Sequence, residues 1–148
     1  MAYPITFNIA KGRAAEMAKL GLANDALIAV VLEATGLVAE ATMRDYDTLD
    51  AILAGASNEQ TTMGRKTLSS VTVTPDDTND RQDVDAADIT WTAASGNPTG
   101  LIVICYDYDT TGGTDADIVP LVADSFVTTP SGVDITYQVN AAGFFRAS

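Results

Sequence analysis

The chain has no histidine and only one cysteine among its 148 residues. Histidine is the commonest general base near neutral pH and the commonest protein ligand of transition metals. Its absence excludes Ser–His, Cys–His and histidine-bearing zinc chemistries, and we expect no enzymatic activity. The single cysteine, Cys105, cannot form a disulfide within the chain. It lies in an apolar stretch with no histidine to activate its thiol, so we expect a buried structural residue.

Basic residues are also scarce, with 8 Lys and Arg against 20 Asp and Glu and a formal net charge of −12. A phosphate backbone is bound mainly through Lys and Arg, so this balance predicts no binding to nucleic acid. Two interpretations of the acidity stay open. The negative charge keeps the protein soluble, or it faces a positively charged protein partner.

Long hydrophobic runs are missing as well. The most apolar region, residues 22–39, is interrupted by polar residues, whereas a membrane span needs about 20 consecutive apolar residues. The opening Met1-Ala-Tyr-Pro lacks the basic and apolar regions of a signal peptide, so neither a membrane nor a secretion signal is expected. No linker or repeat divides the chain, and its length fits a single domain over residues 1–148.

The most strand-like stretch runs from Leu101 to Tyr108. It is apolar, rich in β-branched and aromatic residues, and bounded by Asn97–Gly100 before and Gly112-Gly113 after. This pattern predicts a strand that is buried for most of its length. Apolar runs or alternating patterns predict further strands over 26–34, 71–74, 84–93, 118–122 and 133–139.

The first third of the chain differs from the rest. Residues from Tyr3 to Ile9 alternate apolar and polar side chains, which predicts a short edge strand or an N-terminal arm over residues 1–9. Residues 10–55 form a helix-containing part, with helices expected over 10–20 and over 46–54, the second capped by Asp45. Together these patterns predict a mainly β (α+β) fold: an antiparallel β-sandwich or partly open barrel with two short helices in the N-terminal third.

A Gly-rich acidic loop follows the central strand. Calcium takes six to eight oxygen ligands, and carboxylates near a glycine turn can supply some of them. Thr111 and Ile118 stand where an EF-hand loop would need an acidic residue and the closing glutamate. We therefore expect no metal and no cofactor, and we interpret the loop as a solvated hairpin connection. The weak candidate ligands are Asp107, Asp109, Asp115 and Asp117.

A second acidic run extends from Asp76 to Asp88. Carboxylates alone are a weak indication of catalysis, because glycosidase chemistry needs two of them at a fixed separation in a cleft. We interpret this run as an acidic rim that meets a basic neighbour.

Both chain ends carry apolar or aromatic residues. Free termini fray unless they are held by contacts. Either both ends dock on their own domain as edge strands, or one of them adds to a neighbouring subunit by strand addition. The candidate partner contacts are Tyr3, Ile5, Phe7, Phe144, Phe145 and Arg146.

Four segments carry a resemblance to a known family. They are Val71–Arg81, Ile89-Thr-Trp-Thr-Ala-Ala94, Leu101–Asp109 and Asn140-Ala-Ala-Gly-Phe-Phe-Arg-Ala147. These segments resemble segments of small structural proteins of tailed bacteriophage heads, several of which are regarded as decoration or cement proteins.

The resemblance implies a virion protein that is made in the bacterial host cytoplasm and seated on the outer capsid surface. There it would bind the major capsid protein, stabilise the lattice and self-associate as a trimer or dimer. Two alternatives remain: a neck, tail or head-fibre component, and a Ca²⁺-dependent carbohydrate-binding module that uses the 107–117 loop and Trp91.

Overall fold

The computed structural model describes residues 3–55 and 57–147. Its strands form antiparallel sheets, and its helices are short, which confirms the predicted mainly β, sandwich-like α+β class. The strands are β1 (Ile5–Thr6), β2 (Ala26–Glu33), β3 (Lys66–Thr67), β4 (Thr72–Asp76), β5 (Arg81–Asp85), β6 (Ile89–Ala94), β7 (Thr99–Asp107), β8 (Val119–Thr128), β9 (Val133–Tyr137) and β10 (Phe145–Ala147). The α-helices are α1 (Ala14–Met17), α2 (Glu40–Arg44) and α3 (Leu49–Ala54), and 3₁₀ helices span Asn8–Ala10 and Asp115–Asp117.

The central sheet has the strand order β1-β8-β7-β2-β3. Strand β7 pairs with β2 on one side and with β8 on the other, and its residues from Thr99 to Cys105 are all buried. The predictions of a buried strand from Leu101 and of another over 26–34 are therefore confirmed. Both strands lack the usual polar alternation because structure covers both faces of the sheet.

Two smaller sheets, β10-β5-β4 and β6-β9, complete the β structure of the described residues. The β6-β9 sheet packs on one face of the central sheet through aromatic rings. Phe126 of β8 lies 5.6 Å from Trp91 and 5.6 Å from Tyr137, measured between ring centroids. On the other face of β8, Val127 lines a depression with Leu37. Leu37, in the loop before α2, thus lies on the opposite side of the sheet.

The predicted helices differ from those in the structure. The helix expected over 10–20 is wrong in extent, because Gly12 adopts a positive φ of 78° and interrupts it, leaving one turn at α1. The second predicted helix begins only at Leu49, where the Thr48 hydroxyl caps it by accepting from the backbone N–H of Ala51. Asp45 is therefore not its cap. Helix α2 was not predicted, since five residues are too few to show a helical period.

One predicted strand is in fact two. The strand expected over 84–93 is interrupted after Asp85, whose carboxylate accepts a hydrogen bond from the N–H of Ala86, and β5 and β6 belong to different sheets. In contrast, the strand expected over 118–122 continues as β8 to Thr128. Among the described residues, no helix is long and apolar enough to cross a membrane.

Candidate functional site

The N-terminal candidate contacts lie mostly inside the protein's own fold. Ile5 pairs with Ala123 of β8, and the N–H of Phe7 donates to the carbonyl of Leu121 at 3.1 Å. Both side chains are buried, so this end docks on its own domain as an edge strand. An arm reaching a neighbour would need Ile5 and Phe7 outside the domain. The first two residues of that predicted arm lie outside the described residues.

The C-terminal candidate contacts are also held by the domain. Phe145 is buried and pairs with Val84 in the β10-β5 ladder. Arg146 is exposed, and its Nε lies 3.4 Å from a carboxylate oxygen of Asp83. The two ends approach each other, because Thr6 of β1 and Phe145 line the same surface cleft. Tyr3 and Phe144 are half-buried and line two other depressions, described below.

The candidate calcium ligands are engaged in the turns of their own loop. Asp109 accepts hydrogen bonds from the N–H and the hydroxyl of Thr111, and these bonds lower the pKa of its carboxyl. Asp117 accepts from the N–H and the hydroxyl of Thr114 in a capping box. Asp107 accepts from the N–H of Asp109. Within residues 3–55 and 57–147, no three Asp, Glu or Cys side chains are grouped so as to hold a metal ion. This arrangement is that of a hairpin connection.

The fourth candidate, Asp115, forms an ion pair with Arg65. The guanidinium lies 2.6 Å from one Asp115 oxygen and also donates to both oxygens of Glu59 at 2.8 Å. The hydrogen bond from Arg65 lowers the pKa of the Asp115 carboxyl. Arg65 therefore ties the acidic loop to the segment before β3 and occupies the carboxylate that a cation would need.

A groove of about 640 Å³ lies between the central sheet, the end of β9 and the segment that leads to β10. Ile104 of β7 and Val122 of β8 are buried and contribute apolar surface to it. Its other lining residues are Pro4, Asp88, Asp124, Tyr137, Gln138, Val139, Asn140, Ala141, Gly143 and Phe144. We call it the acidic groove, because Asp88 and Asp124 line it and none of the described lining residues is basic.

Both carboxylates of the acidic groove have fixed orientations. Asp124 accepts a 2.7 Å hydrogen bond from the phenol of Tyr137 and another from the N–H of Ser125. One oxygen of Asp88 accepts from the N–H of Val139 at 2.8 Å. Sequence reasoning missed this groove because it joins segments that are remote in the chain. The one feature of the sequence that pointed toward it was the acidic run that ends at Asp88.

Large exposed apolar side chains occur at both ends of the central sheet. Val127 and Val133, which are 79% and 60% exposed, flank the turn between β8 and β9. Leu22 and Tyr108, which are 57% and 41% exposed, lie at the other end, beyond the paired residues Ala26 and Asp107.

Val127 also lines an apolar depression of about 520 Å³ with Tyr3, Leu37 and Leu101. On this side of β8, among the described residues, β1 pairs only with Val122 and Ala123. Beyond these two pairs, no further strand of the described residues pairs with this side of β8.

Comparison of the chain with protein-family models, with curated protein sequences and with solved structures gives no match.

Proposed function

We propose that this chain is a structural protein of a tailed bacteriophage head that binds the outer capsid surface and braces neighbouring major capsid subunits. The observation that carries the proposal is the placement of exposed apolar side chains at opposite ends of the central sheet. A protein that joins two neighbours needs contact surface at two separated places, and exposed apolar residues that are grouped, such as Val127 and Val133, favour protein contacts.

The surrounding features support the same role. An excess of negative charge favours solubility before assembly. A protein that binds the assembled lattice and not free subunits stabilises the lattice by mass action. Self-association as a trimer or dimer would strengthen weak individual contacts through multivalency. The phage context itself comes from the resemblance of the four sequence segments.

The experiment compares heads with and without the protein. Purified heads that lack it are mixed with the full chain, the bound copies are counted by quantitative mass spectrometry, and the temperature of head disruption is measured. We expect a copy number close to that of the capsid subunit and a higher disruption temperature. Absence from assembled particles, or unchanged head stability, overturns the proposal. A few copies per particle would instead assign the chain to a neck, tail or fibre.

Variants at the two ends sharpen this test. Leu22→Asp and Val127→Asp each place a charge on one exposed apolar group, and each should reduce binding to heads. Thr61→Asp introduces the same charge at an exposed turn position between α3 and β3, outside both apolar groups, and serves as the control. If the two apolar variants bind as well as the control, the ends of the sheet are not the contact surfaces.

A further inference from the structure

The acidic groove combines three kinds of surface. Its apolar part comes from Ile104 and Val122, its aromatic part from Tyr137 and Phe144, and its charge from two carboxylates. The hydrogen bonds to Asp88 and Asp124 come from groups of the protein that fix their direction. The groove is thus preorganised, and little side-chain ordering remains to oppose binding.

Among the described residues, no basic side chain in the walls neutralises the charge of the groove. No Lys or Arg is present among the described residues that line it, and the whole chain carries a net charge of −12. The hydrogen bond from Val139 is made to one oxygen of Asp88. A cationic group is therefore the electrostatic complement of this surface.

Among cationic side chains, arginine fits all three surfaces. Its apolar stem can lie on Ile104 and Val122 while its charged end remains at the carboxylates. Its planar guanidinium pairs with carboxylates at two points and stacks on aromatic rings such as Phe144. Lysine offers a compact point charge without a plane. We propose that the acidic groove receives an arginine side chain from a segment of a partner protein. The identity of that partner as the capsid subunit rests on the proposed function, whereas the chemistry of the groove does not.

The first test uses the full chain labelled with ¹⁵N and three synthetic pentapeptides, in which arginine, lysine or citrulline stands between glycines. Citrulline keeps the shape of arginine and removes its charge. We expect saturable shifts of the Val139 and Asn140 amide signals with the arginine peptide, weaker ones with lysine and none with citrulline. Added salt should reduce the arginine effect. Equal responses to arginine and citrulline, or no saturable response to any peptide, overturn the inference.

The second test removes one carboxylate charge at a time. At Asp88 the hydrogen bond from Val139 can be kept, whereas both oxygens of Asp124 accept hydrogen bonds and an asparagine can keep only one of them. Asp88→Asn retains an oxygen that can accept from Val139. It should weaken binding of the arginine peptide by about tenfold, which is the effect of losing one charge-assisted hydrogen bond. Asp124→Asn should act in the same direction. Asp77→Asn makes the same change of charge at an exposed residue outside this groove and should leave binding unchanged. An equal effect of Asp77→Asn would show that peptide binding depends on the net charge of the protein, and it would overturn the proposed site.

Binding of the same variants to phage heads separates this inference from the proposed function. If the wild-type chain does not bind heads but selects the arginine peptide, the groove stands and the proposed function fails. If the chain braces heads and Asp88→Asn binds them as well as Asp77→Asn does, the proposed function stands and the groove is not the contact.

Discussion

The phenol of Tyr137 donates a 2.7 Å hydrogen bond to the carboxylate of Asp124 and so joins β9 to β8. The same tyrosine ring meets Phe126 edge-on, so β9 is held to the central sheet by a polar and an aromatic contact. This pair also forms one wall of the acidic groove. A change at Tyr137 should therefore alter both the free energy of unfolding and the wall of the acidic groove.

Replacing Tyr137 with Phe keeps the ring and removes the hydroxyl. We expect the free energy of unfolding to fall by about 1–2 kcal/mol, because the carboxylate loses a partly buried hydrogen-bond donor. Urea denaturation at neutral pH measures this loss. Tyr108→Phe, at an exposed residue, is the control and should change stability little. Equal stability of wild type and Tyr137→Phe would show that the bond contributes nothing net.

The same bond should make stability sensitive to alkaline pH. Burial, followed by the hydrogen bond to Asp124, raises the pKa of Tyr137 above its ordinary value of about 10. The contribution is full below the pKa of the unfolded chain and is lost as the pH rises through the higher pKa of the folded state. Between pH 8 and pH 10.5, wild type should therefore lose more unfolding free energy than Tyr137→Phe. Parallel losses would contradict this assignment.

The Arg65–Asp115 ion pair should act at the acidic end of the pH range. The hydrogen bond from Arg65 lowers the pKa of Asp115, so its contribution is present above pH 4 and is lost as the pH falls through the folded-state value. Asp115→Asn should cost at most about 1 kcal/mol at pH 7, because both side chains are about one third exposed and solvent screens the pair. Denaturation at pH 7 and at pH 3 should show the difference shrinking. A constant difference would mean that the asparagine acts through packing.

Calcium should leave the protein's thermal midpoint unchanged. Asp109 and Asp117 use oxygens to accept from Thr111 and Thr114, and Asp115 is paired with Arg65. A cation would have to break these contacts to obtain its ligands. Thermal unfolding in millimolar Ca²⁺ and in EDTA checks this, and a higher midpoint with Ca²⁺ would revive the carbohydrate-module alternative.

The sequence predicted the central sheet better than it predicted the rest of the fold. The run from Leu101 combines β-branched residues with turn signals on both sides, which favours a buried strand, and the burial of Cys105 was expected with it. The helices were harder to predict. Helices of four to six residues hardly display a period, and tertiary packing of Met43 and Ile52 fixes where helical turns form. The acidic groove could not be predicted, because Asp88, Asp124 and Phe144 come together only through strand pairing.

The backbone conformation of Gly143 should control the wall of the acidic groove. Gly143 has a positive φ of 89°, and a Cβ added there would lie 2.5 Å from the carbonyl oxygen of Val84. That same carbonyl accepts from the N–H of Phe144 at 2.9 Å, so the clash would displace the segment that places Phe144 in the groove. Gly143→Ala should therefore lower the free energy of unfolding by about 2–3 kcal/mol, from backbone strain and steric conflict together.

Gly132 provides a matched control for this prediction. It has a similar φ of 84°, but a Cβ added to it would meet nothing within 4 Å. Gly132→Ala thus measures the cost of the left-handed backbone alone, which we expect to be about 1 kcal/mol. The excess loss in Gly143→Ala then reports the contact with Val84, and it should be accompanied by shifted amide signals over residues 138–144. If the two variants unfold at the same urea concentration, that contact is relieved without cost, and Phe144 is not held in place by it.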